Sequence, residues 1–182
     1  MRRQIKEDFL EKSEISQEIV LGGVGGQGVL FITKILAQVA LDMGQSVLVS
    51  ETHGMAQRGG IVVSHLKVGN FKSPLIRPGT ADILLSFHPE SVLNHRHYLK
   101  EDGKIIANTN DESPLSINAT KLAIAMGAPI AANLILLGFA LSKKLLYCSV
   151  TDVEKYLTKE GMRNIETNIK ALKLGVTKGE TQ

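Results

Sequence analysis

Ile19-Val20-Leu21-Gly22-Gly23-Val24-Gly25-Gly26-Gln27-Gly28 decides how the chain is read. A short apolar run feeds a loop in which five of seven residues are glycine. From Val29 to Met43 the polar residues Lys34, Gln38 and Asp42 recur every four positions, and Gly44 closes the stretch. That spacing predicts a helix with one wet stripe and an otherwise buried surface. Val47 to Ser50 is apolar again and predicts a second strand. Strand, glycine loop, helix and strand make a βαβ unit, whose strands run parallel with a right-handed crossover.

Working outward, Ile61–Val68 and Ile83–Phe87 read as strands, the second after the Pro78-Gly79 turn. Pro89 suits the first turn of a helix running to Tyr98, and Lys104–Ala107 is a further strand. Leu122 to Leu141 is twenty residues without a charge, long enough on length alone to span a bilayer. Gly127 and Pro129 interrupt it, so it divides into one helix ending at Gly127 and a second from Ile130, apolar nearly all round and hence buried. Thr151 with Glu154 has the spacing of a capping box before a helix to Lys159, and Asn164–Leu174 forms a last helix. The fold expected is α/β, an open, mostly parallel Rossmann-like sheet with helices on both faces. Residues 1–18, with four bases and five acids, read as a charged N-terminal extension without the apolar stretch of a secretory signal; 19–182 read as a single domain.

Composition narrows the function classes. The 182 residues hold 21 Lys plus Arg against 18 Asp plus Glu, a scattered charge of +3 with no basic stripe, which argues against nucleic-acid binding. A single cysteine, Cys148, rules out an internal disulfide and any four-thiolate iron–sulfur or zinc site on the chain. No metal site, membrane attachment or secretion is expected, and the location expected is cytoplasmic.

Two segments carry chemistry. Gly23, Gly25 and Gly28 spell G-x-G-x-x-G between a strand and a helix, the context in which backbone N–H groups and a helix N-terminus cradle a pyrophosphate. Glu51 follows Gly28 by 23 residues at the end of the next strand, where a ribose-binding acid would sit. Gly23, Gly25, Gly26, Gln27, Gly28 and Glu51 are therefore candidate cofactor-binding residues; the same glycines equally fit a close-packed turn with no ligand. The second segment, Glu51-Thr52-His53-Gly54-Met55-Ala56-Gln57-Arg58-Gly59-Gly60, leaves the same sheet edge. His53 would titrate near neutrality and the Arg58 fork would clamp a carboxylate or phosphate.

GGVGGQGVL followed by SETHGMAQRGG resembles the gamma-type domain of the 2-oxoacid:acceptor (pyruvate/ketoisovalerate) oxidoreductases, and within it the small (beta) subunit of the indolepyruvate:ferredoxin type. The resemblance includes PIAANLILLG at 129–138 and NIKALKLG at 168–175, so it runs from Ile19 to Gly175. It implies a subunit of an enzyme that oxidatively decarboxylates indolepyruvate or another aryl pyruvate, makes an acyl-CoA from coenzyme A, and passes electrons to ferredoxin. Thiamine diphosphate, Mg and 4Fe–4S clusters would then sit on a larger partner subunit. This chain lacks both the cysteines and the Gly-Asp-Gly with later paired asparagines of a thiamine site: Asp102-Gly103 follows Glu101, and Thr109 separates Asn108 from Asn110. No catalytic residue is expected here beyond His53, Gln57 and Arg58 as contributors to a shared cleft. A free-standing NAD- or flavin-binding oxidoreductase and a non-enzymatic scaffold are the competing readings.

Among the remaining residues, His65 is expected on the wetter side of its strand and His95 and His97 at an exposed helix end. His88 stands at the ligand edge, Cys148 is expected as a packed small side chain, and Asn133 needs a hydrogen-bond partner inside its apolar helix.

Overall fold

The computed structural model describes residues 15–53, 60–111, 113–161 and 164–182. The strands are β1 Gln17–Val24, β2 Val47–His53, β3 Ile61–Val68, β4 Ala81–Ser86, β5 Leu99–Asn108 and β6 Ser116–Ile117. The helices are α1 Val29–Asp42, α2 Pro89–His95, α3 Ala119–Ala125, α4 Ala132–Ser142, α5 Val150–Lys159 and α6 Ile165–Glu180. Short 3₁₀ turns at Arg96–Tyr98 and Pro129–Ala131 precede β5 and α4. The six described strands form one sheet in the order β2-β3-β1-β4-β5-β6.

The sheet is mostly parallel, with one exception that changes the reading of the first unit. β1 and β2 point the same way but do not touch, because β3 lies antiparallel between them, Leu21 facing Ser64 and Ser64 facing Glu51. The link from His53 to Ile61 is shorter than the roughly dozen residues a parallel crossover needs, so β3 has to return antiparallel. β4, β5 and β6 continue from β1 in parallel.

One face of the sheet carries the main core. Ile19, Leu21, Leu66, Ile83, Leu85 and Ile106 meet the buried faces of α1, α4, α5 and α6. On the other face, α2 and the loop at Ile76 cover a smaller cluster around Val20 and Leu84. The divided apolar stretch is as expected: α3 ends before Gly127, and α4 is buried almost throughout.

Helices α4 and α6 run in the same direction. Ile135 lies beside Gly175 and Ser142 beside Gly179, while Gly138 fits against Leu172. Gly175 therefore does not end the last helix, which continues to Glu180 instead of stopping near Leu174. The capping box is also displaced from its expected place. Ser149, not Thr151, is the N-cap; its side chain accepts from the Asp152 N–H, and Asp152 accepts from the Ser149 N–H at 2.9 Å. Ser149 alone adopts the extended backbone that a cap needs, since Thr151 already lies inside the first turn.

Candidate functional site

β1 and β4 are parallel neighbours whose following helices leave on opposite faces of the sheet, α1 to one side and α2 to the other. Such a switch point opens a crevice at the C-terminal ends of the strands. Here it measures about 790 Å³, and Gln27, His88, Asn108, Asn118, Thr120 and Lys121 contribute to its wall.

The glycine loop forms one side. The Gln27 side chain folds back so that Oε1 accepts from the Val24 N–H at 2.8 Å, while the Gln27 N–H donates to the Val24 carbonyl at 3.1 Å. These reciprocal bonds set the loop's shape without a ligand. Gly23 is still within β1, opposite Val62. The Gly25 N–H donates to the Gly60 carbonyl at 2.9 Å, so the two glycine-rich segments meet there. Gly28, at φ 79°, caps α1, and a Cβ there would stand 2.1 Å from Nδ2 of Asn133. Gly26, at φ 97°, has open space above it.

Glu51 is not brought to this loop. It lies on β2, two strands from β1, roughly 10 Å away at about 4.8 Å per strand. The inserted β3 thus separates the two halves of the dinucleotide pattern. His53 ends β2; Gln57 and Arg58 lie outside the described residues.

The opposite wall was missed by motif reading. Asn108, at the end of β5, donates to the Phe87 carbonyl at 3.1 Å and the Thr120 hydroxyl at 2.8 Å, and accepts from the Thr120 N–H at 3.3 Å. Asn118 caps α3 by accepting from the Lys121 N–H at 2.8 Å, and its amide also bonds Asn110. His88 caps α2 through Nδ1, which accepts from the Glu90 N–H. The sequence signal was a strand ending in Asn108-Thr109-Asn110 followed by an Asn before a helix. Together these groups form a polar cleft, rich in amides, with Lys121 and Asp111 as the charged groups among the described residues. Its amide and hydroxyl groups can donate to and accept from a polar group placed between them.

Two expectations about histidines are corrected. His65 is buried, and its Nδ1 accepts from the Ile76 N–H at 3.0 Å. His95 is buried under β1, with Nδ1 2.9 Å from the Ser91 carbonyl. Tyr98 links them, edge-on to His65 and stacked with His95. Burial lowers both pKa values; mutual repulsion with His95 and with Lys67 adds to this at His65. The alternation that placed His65 outside is correct in period, but α2 and the Ile76 loop cover that face. His97 is exposed.

Cys148 is buried as expected, and desolvation pushes its thiol up to about 12. A single protonated, enclosed thiol does not fit an iron–sulfur cluster. Among the described residues no group of His, Cys, Asp and Glu side chains converges as metal ligands, and no helix is long and apolar enough to cross a membrane.

Comparison with known proteins joins these observations. Indolepyruvate oxidoreductase subunit IorB of Archaeoglobus fulgidus is 31% identical over 186 residues, spanning 86% of this chain and 92% of that protein. The gamma subunit of a keto/oxoacid ferredoxin oxidoreductase from Geobacter sulfurreducens superposes with a TM-score of 0.73 at 24% identity, covering 91% of this chain and 99% of that one. The fold also recurs within a longer chain, 2-oxoglutarate:ferredoxin oxidoreductase from Magnetococcus marinus, solved with 2-oxoglutarate, coenzyme A and succinyl-CoA bound. There the TM-score is 0.75 at 19% identity, over 94% of this chain and 32% of that one. Residues 18–178, which hold the sheet, the glycine loop and the amide-lined cleft, match one family throughout: this chain belongs to the pyruvate ferredoxin/flavodoxin oxidoreductase family.

Proposed function

We propose that the chain is the small subunit of a 2-oxoacid:ferredoxin oxidoreductase of the indolepyruvate type. It would work with a larger subunit carrying thiamine diphosphate, Mg and 4Fe–4S clusters, which converts aryl pyruvates and coenzyme A to acyl-CoA and passes electrons to ferredoxin in the cytoplasm. The observation that carries this reading is likeness to an indolepyruvate oxidoreductase subunit over 92% of that protein's length. The composition of the chain supports it, because a single cysteine cannot supply the four thiolates of an iron–sulfur cluster, which a partner would then carry.

The contact with the larger subunit would be made at the C-terminal edge of the sheet. The glycine loop and the segment returning at Gly60 meet there, and His53, Gln57 and Arg58 would contribute to the shared cleft. Ile130, 85% exposed, and Ile124, 61% exposed, stand on the same rim, and large apolar side chains so placed favour a protein contact. A free-standing dinucleotide enzyme is the weaker reading, since β3 holds Glu51 away from the glycine loop.

The test is recovery of the tagged chain from its host, followed by dye reduction with indolepyruvate and coenzyme A. The expected result is a larger, brown, iron-containing partner and substrate-dependent reduction. Arg58→Ala should weaken assembly or turnover. Recovery of the chain alone, with NAD or flavin bound at micromolar affinity, would overturn the proposal.

A further inference from the structure

The segment between β3 and β4, residues 69–80, crosses the α2 face of the sheet as a strap. From Asn70 to Thr80 one residue is buried, Ile76, and its side chain enters the cluster of Val20, Ala81 and Leu84. The strap is tied at both ends by backbone. The Gly69 N–H donates to the Ser46 carbonyl at 2.8 Å, and the Gly79 N–H donates to the His97 carbonyl at 3.0 Å. Among the described residues, a single hydrogen bond runs from residues 70–78 to a group outside the strap. It is donated by the Ile76 N–H to Nδ1 of His65 at 3.0 Å.

That bond fixes the protonation state of the ring. A neutral imidazole has one bare nitrogen and one N–H, so accepting at Nδ1 puts the proton on Nε2. An imidazolium carries N–H groups at both positions and would turn a donor toward the Ile76 donor. Protonation of His65 and closure of the strap therefore exclude each other. The surroundings give an added charge no free carboxylate. Tyr98 meets the buried ring edge-on, with centroids 4.9 Å apart, and itself packs against His95 of α2 and against His97. Val20 of β1 and Ser50 of β2 flank His65 on the sheet, Lys67 is the next residue on its face, and Glu51 alternates to the other face. Glu18 is paired with Lys67, and Asp82 with Lys100. The strap adds two exposed cations, Lys72 and Arg77. Burial, with repulsion from His95 and Lys67, holds the His65 pKa below its ordinary value.

We propose that residues 70–78 form a pH-dependent strap: one proton taken from solvent at Nδ1 of His65 breaks the bond to Ile76 and lifts Ile76 off the cluster of Val20 and Leu84, while the sheet stays folded. The sheet is able to stay because β3 is paired on both sides and the main core lies on its other face. Opening bares an apolar patch beside Tyr98, so the α2 face presents a different surface in mild acid. The device rests on the packing of this chain alone and not on the subunit reading.

The test is amide hydrogen exchange followed by NMR on the full ¹⁵N-labelled chain, corrected for the intrinsic pH dependence of exchange. From pH 7.5 to pH 5.5 the protection of Ile76 should fall by about tenfold, the ratio for an opened histidine of ordinary pKa and a closed one that stays neutral. Low urea should leave the Ile76 rate unchanged but speed exchange at Ile83 and Leu85, because lifting a strap exposes far less surface than unfolding β4. The His65 ring should show a bare Nδ1 at pH 7.5 in its ¹⁵N signals. His65→Asn sets a carbonyl oxygen near the place of Nδ1 and does not titrate, so Ile76 should keep its protection at both pH values. A proton on Nδ1 at pH 7.5, Ile76 protection that ignores pH, Ile76 exchange that follows urea as Ile83 and Leu85 do, or a pH-dependent loss that persists in His65→Asn would each overturn the strap. The first three are read on the parent chain and decide the matter even where the variant does not fold.

Discussion

A Cβ on Gly175 would stand 1.9 Å from the carbonyl oxygen of Ile135, so α4 and α6 touch backbone to backbone. This contact sets the spacing of the parallel pair and thereby places both helix starts beside the glycine loop. Because the neighbour is backbone rather than a flexible side chain, an added methyl has nowhere to go. Gly175→Ala is expected to cost about 3 kcal/mol, lowering Tm by roughly 6–12 °C in calorimetry. An unchanged Tm would show that the two helices are not held this closely.

Glu18 and Lys67 face each other across β1 and β3 with 2.5 Å between their charged atoms, and the Lys67 ammonium also lies over the Phe71 ring. Both side chains are nearly enclosed. Glu18→Ala leaves a buried cation unpaired and should destabilise by about 3–5 kcal/mol, whereas Glu18→Leu combined with Lys67→Met should be much milder. Urea unfolding of the two variants distinguishes a paired charge from simple loss of packing.

Gln27 closes the glycine loop through the Val24 amide. Gln27→Ala should lose about 1 kcal/mol and lower Tm by about 2–4 °C. Hydrogen exchange should show faster exchange at Val24 than in the parent chain, and unchanged protection there would discount the bond.

Burial holds the pKa values of His65 and His95 below the ordinary histidine value, so both are neutral in the fold at neutral pH. The unfolded chain then binds more protons below about pH 6.5, and stability falls as pH drops from there toward the folded-state values. Asp152 acts lower on the scale: hydrogen bonds from Ser149 depress its carboxyl, so its contribution, present above the ordinary carboxylate range, is lost on further acidification. Urea midpoints measured from pH 8 to pH 2 should decline through both ranges. His95→Gln should flatten the upper part of the decline.

Cys148 is enclosed, and its thiol is raised to about 12. The native chain should react with a thiol reagent only as slowly as it opens, and the unfolded chain should react at once. Prompt reaction of the folded protein would contradict its placement.

Much of the fold is legible because its signals are local. Gly28 and the four-residue polar spacing mark α1, Gly127 and Pro129 divide the apolar stretch, and alternation identifies β3. The capping box was misplaced because two acceptable pairs, Ser149 with Asp152 and Thr151 with Glu154, lie two residues apart. Backbone geometry at Ser149 chooses between them. Of the site, the glycine loop and its meeting with the segment before β3 were readable. The wall built from Asn108, Asn118 and Thr120 was not, since their contacts join a strand end to a later helix start.

The sequence by itself determined that a strand enters a glycine turn and a buried helix, and that one cysteine cannot supply the four thiolates of an iron–sulfur cluster. Tertiary structure alone decided that β3 would stand between β1 and β2 and that His65 and His95 would be covered. The physical reason is the range of the interactions. Turns, caps and periodicity act within a few residues, whereas strand order and helix-to-helix contact depend on which distant surfaces satisfy each other's hydrogen bonds and fill each other's space.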